Sequence, residues 1–291
     1  MIMQLLIKGL SLGAIYGMIS IGFYLLWQTS RTINFAQGEF VTVPAFLMVL
    51  FYVVFHIPFV PALICTILIS AFLLGVLMKK TLVEALIERG VLPLVVATIA
   101  VGFLIKDSLI VLWTPEALHF PSMISQKPFH FAGAIFSSVD LWNILMAIVM
   151  IYALHLFIRK TRPGKALQAV AQNREVAAIL GINVQMMILW AFVINAILVT
   201  ASAVLVAPIY MVKYDMGVEL GLKAFYAAII GGFNQVRGAL LGGLLVGVIE
   251  TFTAAYISTQ YKSGVVLIVL IVVILLKPEG LLGTKELYEY R

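Results

Sequence analysis

The chain has 291 residues, 63% of them hydrophobic and only 11% charged, with a formal net charge of +6 and a mean hydropathy of +1.11. A soluble domain of this size is nearer half apolar and a quarter charged, so a water-soluble globular fold is excluded. The cations are spread among the loops without a basic face or stripe, which argues against nucleic acid as a partner.

Apolar runs fall at 4–27, 36–55, 59–79, 92–113, 140–158, 186–208, 238–258 and 263–276, with a shorter piece at 222–234. A spanning helix needs roughly 20 apolar residues, and the runs lack the two-residue alternation of barrel strands. The predicted fold class is therefore an all-α polytopic membrane protein, with about 8–9 transmembrane helices and one short or irregular helix near 222–234. Residues 1–291 read as a single transmembrane domain. The first run is long for a signal peptide and has no small-x-small cleavage site, so it is expected to stay in the membrane. Cys65, the one cysteine, lies within an apolar run and is expected to be a packed core residue.

Between the first two runs lies TINFAQGEF (32–40), with Asn34, Gln37 and Glu39 close to the membrane edge. Two compatible readings stand. Glu39 complements a helix N-terminus and Gly38 allows close helix approach, or these residues line a solute path. Lys106 and Asp107 lie within the fourth run, where ionisable residues are rare and often functional, although a lysine near a helix end also snorkels. Glu250 either finds a partner inside the bundle or lies near the outer interface. The connection 114–139, with Pro115, Pro121 and Pro128 among Phe120, Phe129 and Phe131, is expected to pack across the outer face.

The long polar stretch is TRPGKALQAVAQNREVAAILGINV (161–184), an Ala-rich, helix-prone block broken at Gly181. Farther on, the spacings at Gly238/Gly242 and Gly243/Gly247 are small-xxx-small patterns that favour close helix packing. The break at 231–234 suggests an interrupted helix lining a cavity near Asn234 and Gln235.

Several chemistries are absent by motif. The segment GVLMKKT (75–81) lacks the second glycine of a phosphate-binding loop, and no zinc-protease motif or serine elbow occurs. His56, His119, His130 and His155 have no ligand spacing, so neither metal nor cofactor is expected in this chain. If 161–184 is cytoplasmic and every run crosses, most of the 19 lysines and arginines fall inside, placing the N-terminus outside and the C-terminus in the cytoplasm. The outer cations are then Lys8, Lys127, Lys213, Lys223 and Lys262.

Taken together, TINFAQGEF, the segment 161–184, the pattern APIY…DMG…LKAF…GG…GALLGG and the terminal KPEGLLG (277–283) resemble the H-type permease of branched-chain amino-acid ABC importers, in order and spacing, over essentially the whole chain. The resemblance implies one permease domain in a prokaryotic inner membrane. It implies as partners a second homologous permease subunit, two cytoplasmic ATPase subunits that bind the ATP, and an extracytoplasmic solute-binding protein. It implies that 161–184 couples to an ATPase, with Arg162 and Gly164 at its front and Glu175, Ala177, Ala178 and Gly181 in the docking helix. The candidate path is Asn34, Phe35, Gln37, Glu39, Lys106, Asn234 and Gln235.

Lys106 stands where the family more often has an uncharged polar residue, and GGFNQVRG (231–238) departs from the usual glycine-rich pattern. These departures bear on the solute: branched-chain or related neutral amino acids, or urea, short amides, or aromatic or carboxylate solutes. A stand-alone channel or secondary carrier is the reading from another class, and a multi-spanning enzyme requires Asp107, Glu250 and the histidines to converge in space.

Overall fold

The computed structural model describes residues 1–122, 128–131 and 134–283. Seven helices among them are long and apolar enough to cross a membrane: α1 (Ile2–Ser30), α2 (Phe35–Val54), α3 (Phe59–Leu86), α4 (Val91–Leu112), α5 (Ser138–Lys160), α8 (Val184–Tyr210) and α10 (Val236–Tyr256). The polar stretch forms α6 (Arg162–Gln172) and α7 (Arg174–Ile179). Two shorter helices complete the bundle, α9 (Met216–Gly231) and α11 (Lys262–Leu276). The predicted all-α polytopic class holds, with the short helix present. α9 begins earlier than the apolar piece 222–234 because Met216 and Gly217, next to polar residues in sequence, are buried against the bundle.

The bundle is built around α1, whose most apolar window is 83% buried, whereas those of α4 and α5 are 17% buried and lie at the periphery. Oily side chains gain little by leaving lipid for protein, so close packing decides which helices are central. On α1, Gly9, Gly13 and Gly17 form one stripe against antiparallel α10: a methyl at Gly13 would fall 2.7 Å from Leu244 Cα, and one at Gly243 would fall 2.4 Å from Gly17 Cα. The opposite face of α10 meets α9, where a methyl at Gly242 would fall 1.9 Å from the Ala227 carbonyl. The two small-residue spacings read from α10 thus serve two different neighbours.

The ends of the bundle are distinct. At one end lie Ser30, the α6–α7 segment, the α9–α10 turn and residues 277–283, tied by Gln28 donating to the Asn234 carbonyl (3.2 Å) and Leu281 N donating to the Ile230 carbonyl (2.8 Å). At the other end Leu118 and Val212 form a two-residue antiparallel bridge and Phe120 is buried, so the described part of the outer connection does pack across that face. A hairpin follows, β1 (Pro128–Phe131) with β2 (Ala134–Ser137). The same end holds the start of α11, where Lys262 lies 3.0 Å from Glu250 and 3.7 Å from Glu219.

α9 starts beside Lys262 and finishes beside 280–282, the sequence that follows α11. It therefore traverses the same thickness as α11 and is not a hairpin that re-enters. The terminal KPEGLLG explains how α9 ends. Leu281 N and Leu282 N donate to the carbonyls of Ile230 and Gly231 (2.8 and 2.9 Å), supplying donors that the last turn of a helix lacks. Gly280, at φ 83°, brings the tail within reach of Gly232.

Three expectations are corrected. Cys65 is exposed on α3, because the buried face of that helix is carried by Ala62, Thr66 and Ser70 instead. The glycine break at 231–234 is a turn at the end of the bundle, with Gly232 at φ 114°, and not an interruption within a span. Lys223 belongs to no loop: it is 4% exposed within α9. Lys127, Lys285 and Arg291 lie outside the described residues.

Candidate functional site

The polar segment is a clamped elbow. Thr161 caps α6, its hydroxyl accepting from Gly164 N (3.1 Å) and donating to the Phe157 carbonyl (2.7 Å). Gly164 lies on the end of α5 so closely that a methyl there would fall 2.2 Å from the Phe157 carbonyl. Leu167 and Val170, three residues apart on the amphipathic α6, are buried and hold it to the bundle. Asn173 caps α7 by accepting from Val176 N (3.0 Å).

Two arginines that the sequence did not single out then lock the elbow to α1. Arg31 donates to the Ala171 carbonyl (3.2 Å), and Arg174 donates to the Thr29 carbonyl. The second bond places a cation on the last turn of α1, where orphan carbonyls and the helix dipole both favour it. Burial, and after it the like charge of Arg31, holds the Arg174 guanidinium below its ordinary value.

Of the predicted coupling residues, Gly181 closes α7 at φ 82°, with Ile182 N donating to the Ala177 carbonyl (3.0 Å). Arg162, Glu175 and Ala178 are solvent-facing. Ala177 is not: it is 1% exposed and faces the bundle. Neighbours on a helix diverge by about 100°, so the free face belongs instead to Val176, Ile179 and Leu180, at 49%, 83% and 73% exposure. An i, i+3, i+4 apolar stripe on a short helix was available in the sequence as a signal for this surface.

The 32–40 segment folds into a tight turn, Phe35 to Gly38, that opens α2. Asn34 caps it, accepting from Ala36 N (3.0 Å), while its amide nitrogen is buried without a partner among the described residues. Phe35 N donates to Thr98 Oγ1 (3.1 Å), docking α4 onto the turn. Gly38 is the crossing point with α9: a methyl there would fall 2.3 Å from the Gly217 carbonyl. Glu39 occupies the first turn of α2, is 3% exposed, and keeps Oε2 without a hydrogen bond.

Glu39 lines a cavity of ≈ 190 Å³ between α1, α2, α4 and α9, together with Lys106, Phe23, Phe35, Phe103 and Phe225. One cation and one carboxylate thus share a mostly apolar cavity with four phenylalanines, and the Lys106 ammonium also lies 5.7 Å from the Tyr214 ring centre. The other predicted path residues do not join them. Gln37 is fully buried in a reciprocal amide pair with Asn195 (2.8 and 2.9 Å), for which Gly22 leaves the room. Asn234 and Gln235 line a different cavity between α1, α5 and α10, because the turn that carries them lies at the end of the bundle.

Glu250 finds partners inside the bundle, the first of the two readings of it. It is 3% exposed and sits at the end opposite the elbow, in a quartet with Lys223, Glu219 and Lys262. Lys223 lies 2.7 Å from Glu250 and 2.6 Å from Glu219, and the Tyr16 hydroxyl donates to Glu250 Oε2 (2.8 Å). Two cations and two anions balance. The quartet joins α9, α10 and α11, and Tyr16 adds α1. Asp107, His56, His119 and His155 are not members of it, and no group of acidic, histidine and cysteine side chains able to hold a metal occurs among the described residues.

The molecule is a polytopic helical bundle with a half-open cavity lined by Glu39 and Lys106 and a clamped polar elbow at one end. Residues 5–275 match the family described as "Branched-chain amino acid transport system / permease component", and the chain belongs to it. It is similar to the high-affinity branched-chain amino acid transport system permease protein BraD of Pseudomonas aeruginosa, 29% identical over 98% of this chain and 96% of that protein. It is also similar to LivH of Escherichia coli K12, described likewise, 28% identical over 98% and 96%. The fructose import permease protein FruG of Bifidobacterium longum is 25% identical over 67% of this chain and 62% of its own length. No solved structure matches the chain.

Proposed function

We propose that this permease subunit imports a branched-chain or related neutral amino acid across a prokaryotic inner membrane, with partner ATPases supplying the energy. The observation that carries the mechanism is the exposed apolar stripe Val176, Ile179 and Leu180 on a segment clamped by Arg31 and Arg174. Such a knob in water seeks a protein groove, and the clamp transmits displacement of the knob to α1, the central helix. ATP is bound by the partners, and this chain performs no covalent chemistry. Two cytoplasmic ATPases, a second homologous permease and an extracytoplasmic binding protein complete the proposed assembly.

The N-terminus is placed outside and the C-terminus in the cytoplasm. The argument is the lysine and arginine bias toward the elbow end, which grows stronger because Lys223 and Lys262 are neutralised by Glu219 and Glu250. The proposed solute subsite is the chamber of Glu39 and Lys106. An α-amino acid presents an ammonium to Glu39, a carboxylate to Lys106 and an apolar side chain to the four phenylalanines. A sugar would offer neither group an opposite charge, so the chamber favours a zwitterion over a FruG-like cargo.

The test is coupling. Ile179→Asp with Leu180→Asp in the assembly purified from membranes is expected to release the ATPases, or to leave ATP hydrolysis unresponsive to solute, while the thermal midpoint of the permease is unchanged. An assembly with intact ATPase content and unchanged coupling would remove the docking assignment.

A further inference from the structure

The cavity that holds Asn234 and Gln235, ≈ 960 Å³, is larger than the Glu39 cavity and has no role in the proposed solute binding or ATPase coupling. It is a groove between α1, α5 and α10, and its chemistry changes along its length. At the elbow end its walls carry Arg159, Arg237, His155, Gln168 and Asn234. Beyond Tyr24 the walls are aliphatic: Leu10, Ala14, Ile144, Ile148, Leu240 and Leu244. Arg159 and Arg237 are exposed, and neither has an ion-pair partner among the described residues.

We infer that this groove binds an anionic phospholipid of the leaflet on the elbow side. The two guanidiniums, from the last turn of α5 and the first turn of α10, hold the phosphate, and the acyl chains run toward Leu10 and Leu244. Three features select a lipid over a peptide or a polar solute. The polar groups are confined to one end, as in an amphiphile that enters from the interface. Guanidinium pairs suit phosphate oxygens, and clusters of cations between helices on a membrane's inner side recognise anionic headgroups. The third feature is length. From Ile144 to Arg159, α5 extends about 22 Å, enough for a leaflet's hydrocarbon half, roughly 15 Å, plus a headgroup. The same assignment explains why Asn234 and Gln235 are polar residues remote from the Glu39 chamber: they belong to the headgroup end of the groove.

The groove also gives the lipid a structural task. α5 is 17% buried in its most apolar window, so a bound lipid would fill the space between this peripheral helix and the central pair α1 and α10. The proposal is independent of the solute and of the ATPase reading.

The experiment uses the protein purified from membranes with whatever subunits accompany it, placed in nanodiscs of phosphatidylcholine alone or with phosphatidylglycerol added. Bound phosphatidylglycerol is counted by native mass spectrometry after release from the disc, and the thermal midpoint is followed in both discs. Wild type is expected to retain phosphatidylglycerol and to be stabilised by it. Arg159→Gln with Arg237→Gln should lower retention by about tenfold or more and abolish the stabilisation, while Lys165→Gln, on the neighbouring α6, leaves both unchanged. Equal retention by wild type and the double variant overturns the proposal. If the double variant misfolds, Ile148→Trp, which fills the aliphatic half and leaves the arginines in place, must also expel the lipid. Spontaneous disulfide cross-linking of two copies through Ile148→Cys would show that protein occupies the groove, and would likewise overturn the proposal.

Discussion

Two constellations place charge inside this bundle, and they are built in opposite ways. At one, Lys223, Glu219, Glu250 and Lys262 balance one another, and the Tyr16 hydroxyl binds the remaining oxygen of Glu250. At the other, Glu39 keeps an oxygen without a partner and shares a mostly apolar cavity with Lys106. Satisfied buried charge fixes the relative position of helices, whereas an unsatisfied group at a cavity wall holds binding capacity for something else. The difference teaches that an ionisable residue in a span is assigned by its hydrogen-bond account and not by its presence alone. By that criterion the quartet is a fastener and the Glu39 chamber is the proposed site.

The largest expected effect comes from breaking the fastener. Glu250→Ala removes the buried carboxylate of the quartet and leaves both lysines to share Glu219, and a broken buried pair costs about 3–5 kcal/mol. A clear fall in thermal midpoint in detergent is expected, with loss of uptake only in proportion to lost protein. Next is Gly38→Val. It drives a side chain into the Gly217 backbone, separating α2 from α9, and should reduce both the folded fraction and uptake, measured on the same preparation.

The amide pair gives a sharper test of the hydrogen-bond criterion. Gln37→Leu or Asn195→Leu alone leaves a buried amide unmatched and should cost about 1–3 kcal/mol, while the double variant recovers most of the loss. Additive losses in that cycle would undo the structural assignment of Gln37. The smallest effect on stability is expected at Lys106→Gln. It leaves the midpoint unchanged and raises the concentration of amino acid needed for half-maximal uptake, without a matching change for an analogue that lacks the carboxylate.

Much of this was legible in the sequence because lipid imposes a simple rule on length. The runs 92–113 and 140–158 correspond to α4 and α5 within a few residues. The elbow announced itself by polarity, and Gly38 by its place in TINFAQGEF. Residues set by contacts distant in the chain were not legible. Ala177 and Ala178 look alike in the sequence, yet α6 and the Arg174 clamp turn one inward and leave the other free. Gln37 looks like a path residue until Asn195 is brought against it. Lys223 reads as an outer cation at the edge of the apolar piece 222–234, while close packing of Gly217 and Gly221 on Gly38 of α2 carries the helix back to Met216. One local signal was passed over: Gly9, Gly13 and Gly17 repeat every fourth residue and mark the seam that α10 fills.

The central contrast is tested most directly by measuring uptake of a branched-chain amino acid and the thermal midpoint side by side in Glu39→Gln and Glu250→Gln, each in the complete assembly. The account predicts that Glu39→Gln keeps its midpoint and loses uptake by about tenfold or more, and that Glu250→Gln loses stability, with uptake falling only as far as folded protein falls. A Glu39→Gln protein that transports at the wild-type rate, or one whose loss of uptake merely follows its loss of stability, would contradict it.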